Sequence, residues 1–464
     1  MTNLLQSVFR PRPIFQFVGR IATRPATAHL ARPAAIARLL FPALLFVMVA
    51  PSMLAQALPA AEAAPISTGF ALPRTAGTLN YAVSASESLS WGYYGNQGAA
   101  AGTNLSGDLG YISSSKLYPF SAVFSGGHSW NTSGQPSYSF LNLAVSQVIN
   151  VKRWNFLVSD SVSYLPGTPT TGLSGIAGVG DLGACPGQGC SDAGQGVLTD
   201  YSDRVVNSTS GSLQRQITGK TSLNGFGSYT IVRFLGTGGE GQDSDSTTGG
   251  GGISHQVNPR TSFGGNYSYS TYEFPGNSAT MTGPGFESQT ASGQITHQFT
   301  RKFTVTASAG PQWTAISSNG NSEGLSVYAA ASAAYHGHFS QASVSYSRGT
   351  NSGYGVVGGA LSQGGGVSVG RTFARVWNCS ASASYTHSSG LPGANVAPFT
   401  FDTAVASVQT SRAIVRSISA YASYTLEHQS SNQATTAVDV FSGLEQVVGF
   451  GVTYSPSSIH LGRQ

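Results

Sequence analysis

From about residue 79 to residue 455, apolar side chains fall at every second position over stretches of ten or so residues, with small polar residues between them. Trp154, Phe156, Val158, Val162 and Tyr164 form one such stripe, and Asn155, Ser159, Ser161 and Ser163 fill its other face. Trp377, Cys379, Ala381, Ala383 and Tyr385 repeat the pattern against Asn378, Ser380, Ser382 and Ser384. It returns in Leu325 to Tyr335, in Ile414 to Tyr424, and in Leu444, Val448, Phe450, Val452 and Tyr454. A period of two marks strands with one apolar and one polar face. No stretch beyond residue 78 carries the period of an amphipathic helix.

The connections alternate in kind. Short ones carry basic residues, at Lys116, Lys152 and Arg153, Lys220, Arg260, Arg301 and Lys302, His336 and His338, Arg371 and Arg375, and Arg412 and Arg416. Most lie 36 to 41 residues apart, the spacing of a two-strand repeat. Between them are longer segments rich in Gly, Ser, Asn and Pro, near residues 92 to 101, 128 to 137, 165 to 204, 236 to 248, 274 to 285, 314 to 324, 349 to 359, 388 to 399 and 429 to 438. Eight short turns and nine long connections require 18 strands, with 16 as the alternative count, and put both chain ends on the short-turn side. The expected fold is all-β: a closed antiparallel transmembrane β-barrel. A soluble barrel would bury its apolar stripes and show charge outside, whereas the polar stripes here are Ser, Thr, Asn and Gly, which suits a wet lumen. Trp91, Trp130, Trp154, Trp313 and Trp377 all fall at expected strand ends, where a membrane barrel carries its aromatic girdle.

Composition agrees with this reading. The chain of 464 residues is 40% apolar and only 9% charged, with 59 glycines, against about a quarter charged in an ordinary soluble domain. Membrane helices need about 20 continuous apolar residues, and no such run exists past residue 60. The net charge of +5 belongs to the first residues: six arginines and no acid precede the apolar run Leu39 to Ala50 and an Ala-x-Ala site at Ala55 and Ala57. Cleavage after Ala57 removes 6 of 23 basic groups and leaves 17 against 18 acidic ones, a net of −1. Nucleic-acid binding thereby loses its electrostatic basis. The expected organisation is a signal peptide over 1–57, an N-terminal periplasmic segment over 58–78, the barrel over 79–455 and a C-terminal tail over 456–464.

In leader, strand period, alternating turn lengths and the final stripe Val448, Phe450, Val452, Tyr454, the chain resembles Gram-negative outer-membrane β-barrel proteins of the porin type. The resemblance implies a place in the bacterial outer membrane, contact with its lipid and lipopolysaccharide, insertion by the barrel assembly machinery, and passage of small solutes, with a homo-oligomer left open. Many such proteins end on an aromatic residue read by that machinery, whereas here Ser455 to Gln464 follow Tyr454. The connection 165 to 204, between the fifth and sixth strands, matches in strand order the loop that constricts porins. Asp181, Asp192, Asp200 and Asp203 would then give the pore constriction a negative potential. Basic residues at the short turns and acids in the long connections put both termini in the periplasm.

Other chemistry is weaker. Gly366, Val367, Ser368, Val369, Gly370 fits a hydrolase elbow but sits within an expected strand, and a chain this rich in Gly and Ser produces such a match by chance. His336 and His338 flank Gly337 in a short turn and read as solvated rather than metal-binding. Glu240, Asp243 and Asp245 read as a solvated acidic loop before a calcium site. Cys185 and Cys190, in a long loop of an exported protein, are expected to form a disulfide, and Cys379 to be a lone thiol on an apolar stripe. No catalytic, cofactor-binding or metal residue is assigned, and no cofactor is implied. Asp160 interrupts the apolar stripe of its strand, which calls for a β-bulge or a covering subunit interface. The functional expectation is passive diffusion of small solutes; the alternative is a non-conducting structural or adhesive barrel with ligand-binding loops.

Overall fold

The computed structural model describes residues 77–92, 99–115, 117–132, 137–165, 203–235, 243–275, 285–316, 322–353, 359–374, 376–391, 400–432 and 442–462. Among them the elements are strands: β1 (Gly77–Trp91), β2 (Ala100–Ser113), β3 (Phe120–Asn131), β4 (Tyr138–Val151), β5 (Trp154–Leu165), β6 (Arg204–Gln216), β7 (Thr221–Phe234), β8 (Ser244–Asn258), β9 (Thr261–Glu273), β10 (Phe286–Thr300), β11 (Phe303–Ile316), β12 (Ser322–His336), β13 (Ser340–Asn351), β14 (Ala360–Phe373), β15 (Trp377–Gly390), β16 (Thr400–Val415), β17 (Ile418–Ser431), β18 (Gly443–Tyr454) and β19 (Ile459–Leu461).

Each of β1 to β18 pairs antiparallel with the next, and β1 pairs back to β18 from Val83↔Tyr454 to Trp91↔Gln446, which closes the sheet. β19, within the stretch expected as a tail, extends the place of β18 by pairing Ile459–Leu461 with Gly77–Leu79. Closure at 18 strands leaves every strand paired on both sides over at least part of its length. The eight short turns stand at one end, together with both ends of the sheet, and the nine longer connections at the other; these are called the inner and outer ends below. At the two-residue turn after β4, Lys152 takes φ 54°, the left-handed region that such tight turns demand.

The register carries each apolar stripe to the outside. Val151, Trp154 and Arg215 are successive partners across β4, β5 and β6, as are Ile149, Phe156 and Leu213. The outward positions stay exposed, as at Val158 (47%) and Phe450 (58%), because no other part of this chain covers them. The opposite face lines the lumen with paired hydroxyls: Ser121 with Ser146, Ser159 with Ser210, Ser222 with Ser254 and Ser382 with Ser407, at 2.7 to 3.2 Å. An apolar exterior over a hydrogen-bonded polar interior is the architecture of a porin-like transmembrane barrel.

Two local features depart from the sequence expectation. Asp160 keeps regular pairing with Val145 and Thr209 and faces outward, so the expected bulge is not there. Its carboxylate instead accepts hydrogen bonds from Thr209 Oγ1 at 2.6 Å and Asn207 Nδ2 at 3.3 Å. Strands also run further than their turn-forming residues suggest; Asp245, read as a loop residue, is the second residue of β8. Neighbouring strands supply a complete ladder there, which outweighs weak local propensity.

Candidate pore and its lining

The tryptophans occupy two levels of the outward face. Trp154 and Trp377 open β5 and β15 at the inner end, with Arg215 4.8 Å above the Trp154 ring and Arg412 5.2 Å above that of Trp377. Trp91, Trp130 and Trp313 lie toward the outer ends of β1, β3 and β11. Along β11 the outward Phe303 and Trp313 stand ten residues apart. At about 3.4 Å per residue and a tilt of about 40° they are separated by about 26 Å, the height of an apolar barrel band.

Of the residues expected at the constriction, Asp181, Asp192 and Asp200 lie outside the described residues, as do Cys185, Cys190 and Glu240. Asp203 is described, and it does not point into the lumen. Its carboxylate accepts the Tyr164 hydroxyl at 2.5 Å, and Tyr164 shares the outward side with its cross-strand partners Leu141 and Val205. The reason is register: Leu235 N donates to Asp203 O, extending the β6–β7 ladder by one residue and turning Arg204 inward in its place.

The strand alternation brings a different set of charges to the lumen. Asp108 on β2 pairs with Ala82 and Ser125 on the inward side. Glu427 on β17 and Glu445 on β18 are direct cross-strand partners on that side, both buried. Sequence reading passed over these three acids because each stands alone on an ordinary Ser and Thr stripe; their phase within that stripe was the available signal. Several neighbouring wall residues are also buried, among them Ser84, Ser106, Ser125, Asn142 and Ser159.

The remaining candidates resolve into local contacts. Ser368 of the elbow-like motif lies mid-strand in β14, 2.7 Å from Ser343 Oγ. Asp245 forms an ion pair with Arg233 at 2.6 Å and Asp243 accepts Phe234 N at 2.9 Å, so both carboxylates are engaged. His338 packs edge-on against Phe339, and Cys379 is a free thiol 3.3 Å from Thr410 Oγ1. Among the described residues no three His, Cys, Asp or Glu side chains gather as a metal site.

No protein-family model matches the chain, and no curated protein does. Solved structures similar to it include Pseudomonas aeruginosa OpdQ (9% identity, 83% of this chain and 99% of that one, TM-score 0.40). Pseudomonas aeruginosa OpdK with vanillate is similar at 9% identity over 82% and 99% (TM-score 0.41). The Escherichia coli K12 ferric-catecholate import receptor Fiu is similar at 9% over 81% of each chain (TM-score 0.40).

Proposed function

We propose that the protein is a channel of the bacterial outer membrane through which small solutes diffuse, with a preference for cations. The observation that carries this reading is the closed 18-strand wall with apolar residues outside and hydrogen-bonded Ser, Thr, Asn and Gln inside. A wall of that sign solvates water and polar solutes in its lumen and anchors in lipid. Among the described residues, the inward strand charges are Asp108, Glu427 and Glu445 against Arg204, a balance that favours cations.

The connection 166–202, outside the described residues, is the proposed constriction. It joins β5 to β6, and the buried Ser106, Ser125, Asn142 and Ser159 lie on the lumen wall of β2 to β5 beside its root. The leader, periplasmic termini, lipopolysaccharide contact and assembly-machinery insertion belong to the same reading. A homo-oligomer has a candidate face: outward Gly225, Gly251 and Gly265, with Leu213, Leu223 and Ile253, border a groove of about 980 Å³.

Purified protein in a planar bilayer tests the proposal. Discrete conductance steps and a zero-current potential displaced toward the cation are expected under a salt gradient, and deleting residues 175–198 should raise conductance. A silent bilayer would favour the structural or adhesive alternative.

A further inference from the structure

The outer ends of β13 to β15 leave the plane of the wall. The β12–β13 ladder stops at Ala329↔Arg348, although β12 continues to Ser322 and β13 to Asn351. Past that rung β13 moves to the lumen side of its neighbours. Thr350 Oγ1 reaches across β12 to Gln312 Nε2 on β11 and Ser288 Oγ on β10, each at 3.1 Å, and Gly349 sits beside the inward ring of Tyr328. Gln312, buried, also donates to Ser288 and Thr290 and accepts from Ser326. The wall overlaps itself here, held by side-chain hydrogen bonds and apolar packing in place of a backbone ladder.

A break in β11 accompanies the overlap. Proline lacks an N–H, and the β10–β11 pairing skips from Thr290↔Gln312 to Gly293↔Ala309, across Gly310 and Pro311. The two backbones come so close that a Cβ on Gly310 would stand 1.8 Å from Ala291 O.

Among the described residues, the overlap leaves Ser322–Tyr328 of β12 without ladder partners on the β13 side, an edge of about 20 Å at about 3.3 Å per residue. Its lower part lies within the apolar band: Leu325 pairs with the girdle residue Trp313 and Ser326–Tyr328 lie below it, while Ser322–Gly324 lie above the girdle. Leu325 is accordingly 71% exposed. Backbone edges at membrane depth are tolerated only where protein covers them or a cavity opens on them. Directly behind this edge, Leu361 of β14 and Leu391 after β15 pack with Phe274, Phe286 and Ile316 of the facing wall into a buried apolar cluster that Tyr272 adjoins, so the overlap is sealed by apolar side chains. The Tyr272 and Phe286 rings stack at 4.3 Å. At the foot of the overlap, Arg348 Nε is buried without an acceptor, so closure leaves a polar atom unsatisfied.

We propose that the overlap is a lateral passage that, when it parts, is lined by this apolar cluster and lets uncharged apolar molecules carrying an aromatic ring or short alkyl group exchange between the lumen and the outer leaflet. The idea rests on the channel reading, since it needs a lumen that solutes enter. Parting the overlap breaks a few side-chain hydrogen bonds and the packing of Leu361 and Leu391 on Phe286 and Ile316, whereas parting any other pair of strands breaks a backbone ladder.

The test is a reversible tether. In a chain whose Cys185, Cys190 and Cys379 are replaced by serine, Ser288→Cys and Thr350→Cys put two thiols where hydroxyls lie 3.1 Å apart, within disulfide reach. Cells producing this variant are given N-phenyl-1-naphthylamine, which fluoresces on reaching an apolar phase. Oxidation should slow uptake about fivefold and reduction should restore it, as for any gated passage. Equal uptake in both states overturns the proposal, as does a folded barrel whose thiols remain free. Should that variant not fold, Phe286→Ser in the native-cysteine chain, which opens a cavity in the buried cluster that seals the overlap, is expected to raise uptake, and unchanged uptake is the overturning result. Bilayer conductance of the same proteins reports separately on the channel: silence there removes the channel reading, while a conducting barrel with tether-independent uptake removes only the lateral passage.

Discussion

Asp160 offers the sharpest test of the outward register. From Trp154 at the inner girdle it lies six residues up β5, about 16 Å along the membrane normal and well inside a band of about 25 Å. A bare carboxylate at that depth is unfavourable, though less so than the roughly 2–4 kcal/mol of Arg or Lys at the midplane. Here it receives the Thr209 hydroxyl at 2.6 Å and the Asn207 amide at 3.3 Å. A hydrogen bond to a charged acceptor contributes about 1.5–3 kcal/mol net, so Thr209→Val should destabilise the barrel by about that amount. In an Asp160→Val background the same substitution removes a hydroxyl with no carboxylate to serve, and its effect should fall near zero. The coupling energy of the cycle is therefore expected at about 2 kcal/mol. Urea-dependent folding into lipid vesicles, followed by tryptophan fluorescence, measures all four proteins. Coupling below about 0.5 kcal/mol, the level of additive distant sites, would refute the argument that Thr209 is what makes an outward Asp160 tolerable.

Three further outcomes are expected. Cysteine labelling on intact cells should modify Asn321→Cys, in the connection after β11, and spare Lys302→Cys at the opposite end; labelling at 302 alone would invert the topology. Gly310→Ala should cost about 1–3 kcal/mol or more because backbone meets backbone there, whereas Gly293→Ala, with nothing within 4 Å of its added Cβ, should be near neutral in the same urea titration. Replacing Glu427, Glu445 and Asp108 by their amides should move the zero-current potential toward zero in bilayers; an unmoved potential would place the selectivity elsewhere.

Much of the fold was legible because each strand meets two environments, lipid and lumen, and a period of two records both. The stripe from Trp154 to Tyr164 places β5 and its outward face, and the alternation of turn lengths supplies the strand count and the end at which the sheet begins and finishes. Contacts set by distant partners left no such trace. Asp203 faces outward because residue 235 extends a ladder past it, and nothing within 165 to 204 announces that. The tips of β13 to β15 read as ordinary strands, and only Thr350 meeting Gln312 and Ser288, 38 and 62 residues away, shows that they have moved behind the wall. Pro311 was the one local hint, since a proline inside a strand marks a lost rung.

Asp160 also shows why a charge on an apolar stripe is a poor sign of broken register in such a barrel. Other outward carboxylates meet the same solution. Glu87 accepts the hydroxyl of its cross-strand partner Thr103 at 2.9 Å. Asp402 accepts Tyr385 and Glu287 accepts Tyr269, each a diagonal neighbour on the adjoining strand. All of these strands present an O–H from the next strand to an acid that would otherwise face lipid, and most of the acids lie toward the outer ends. Three outward arginines, 215, 371 and 412, lie at the inner ends instead, each over an aromatic ring at 4.8 to 5.2 Å, while outward Arg233, at the outer end of β7, is neutralised by Asp245. Anions capped by hydroxyls at one rim and cations resting on aromatics at the other give the outer surface opposite charge at its two ends. Inverting the barrel would exchange the two rims, so labelling of Asn321→Cys against Lys302→Cys also tests whether this belt fixes which end faces out.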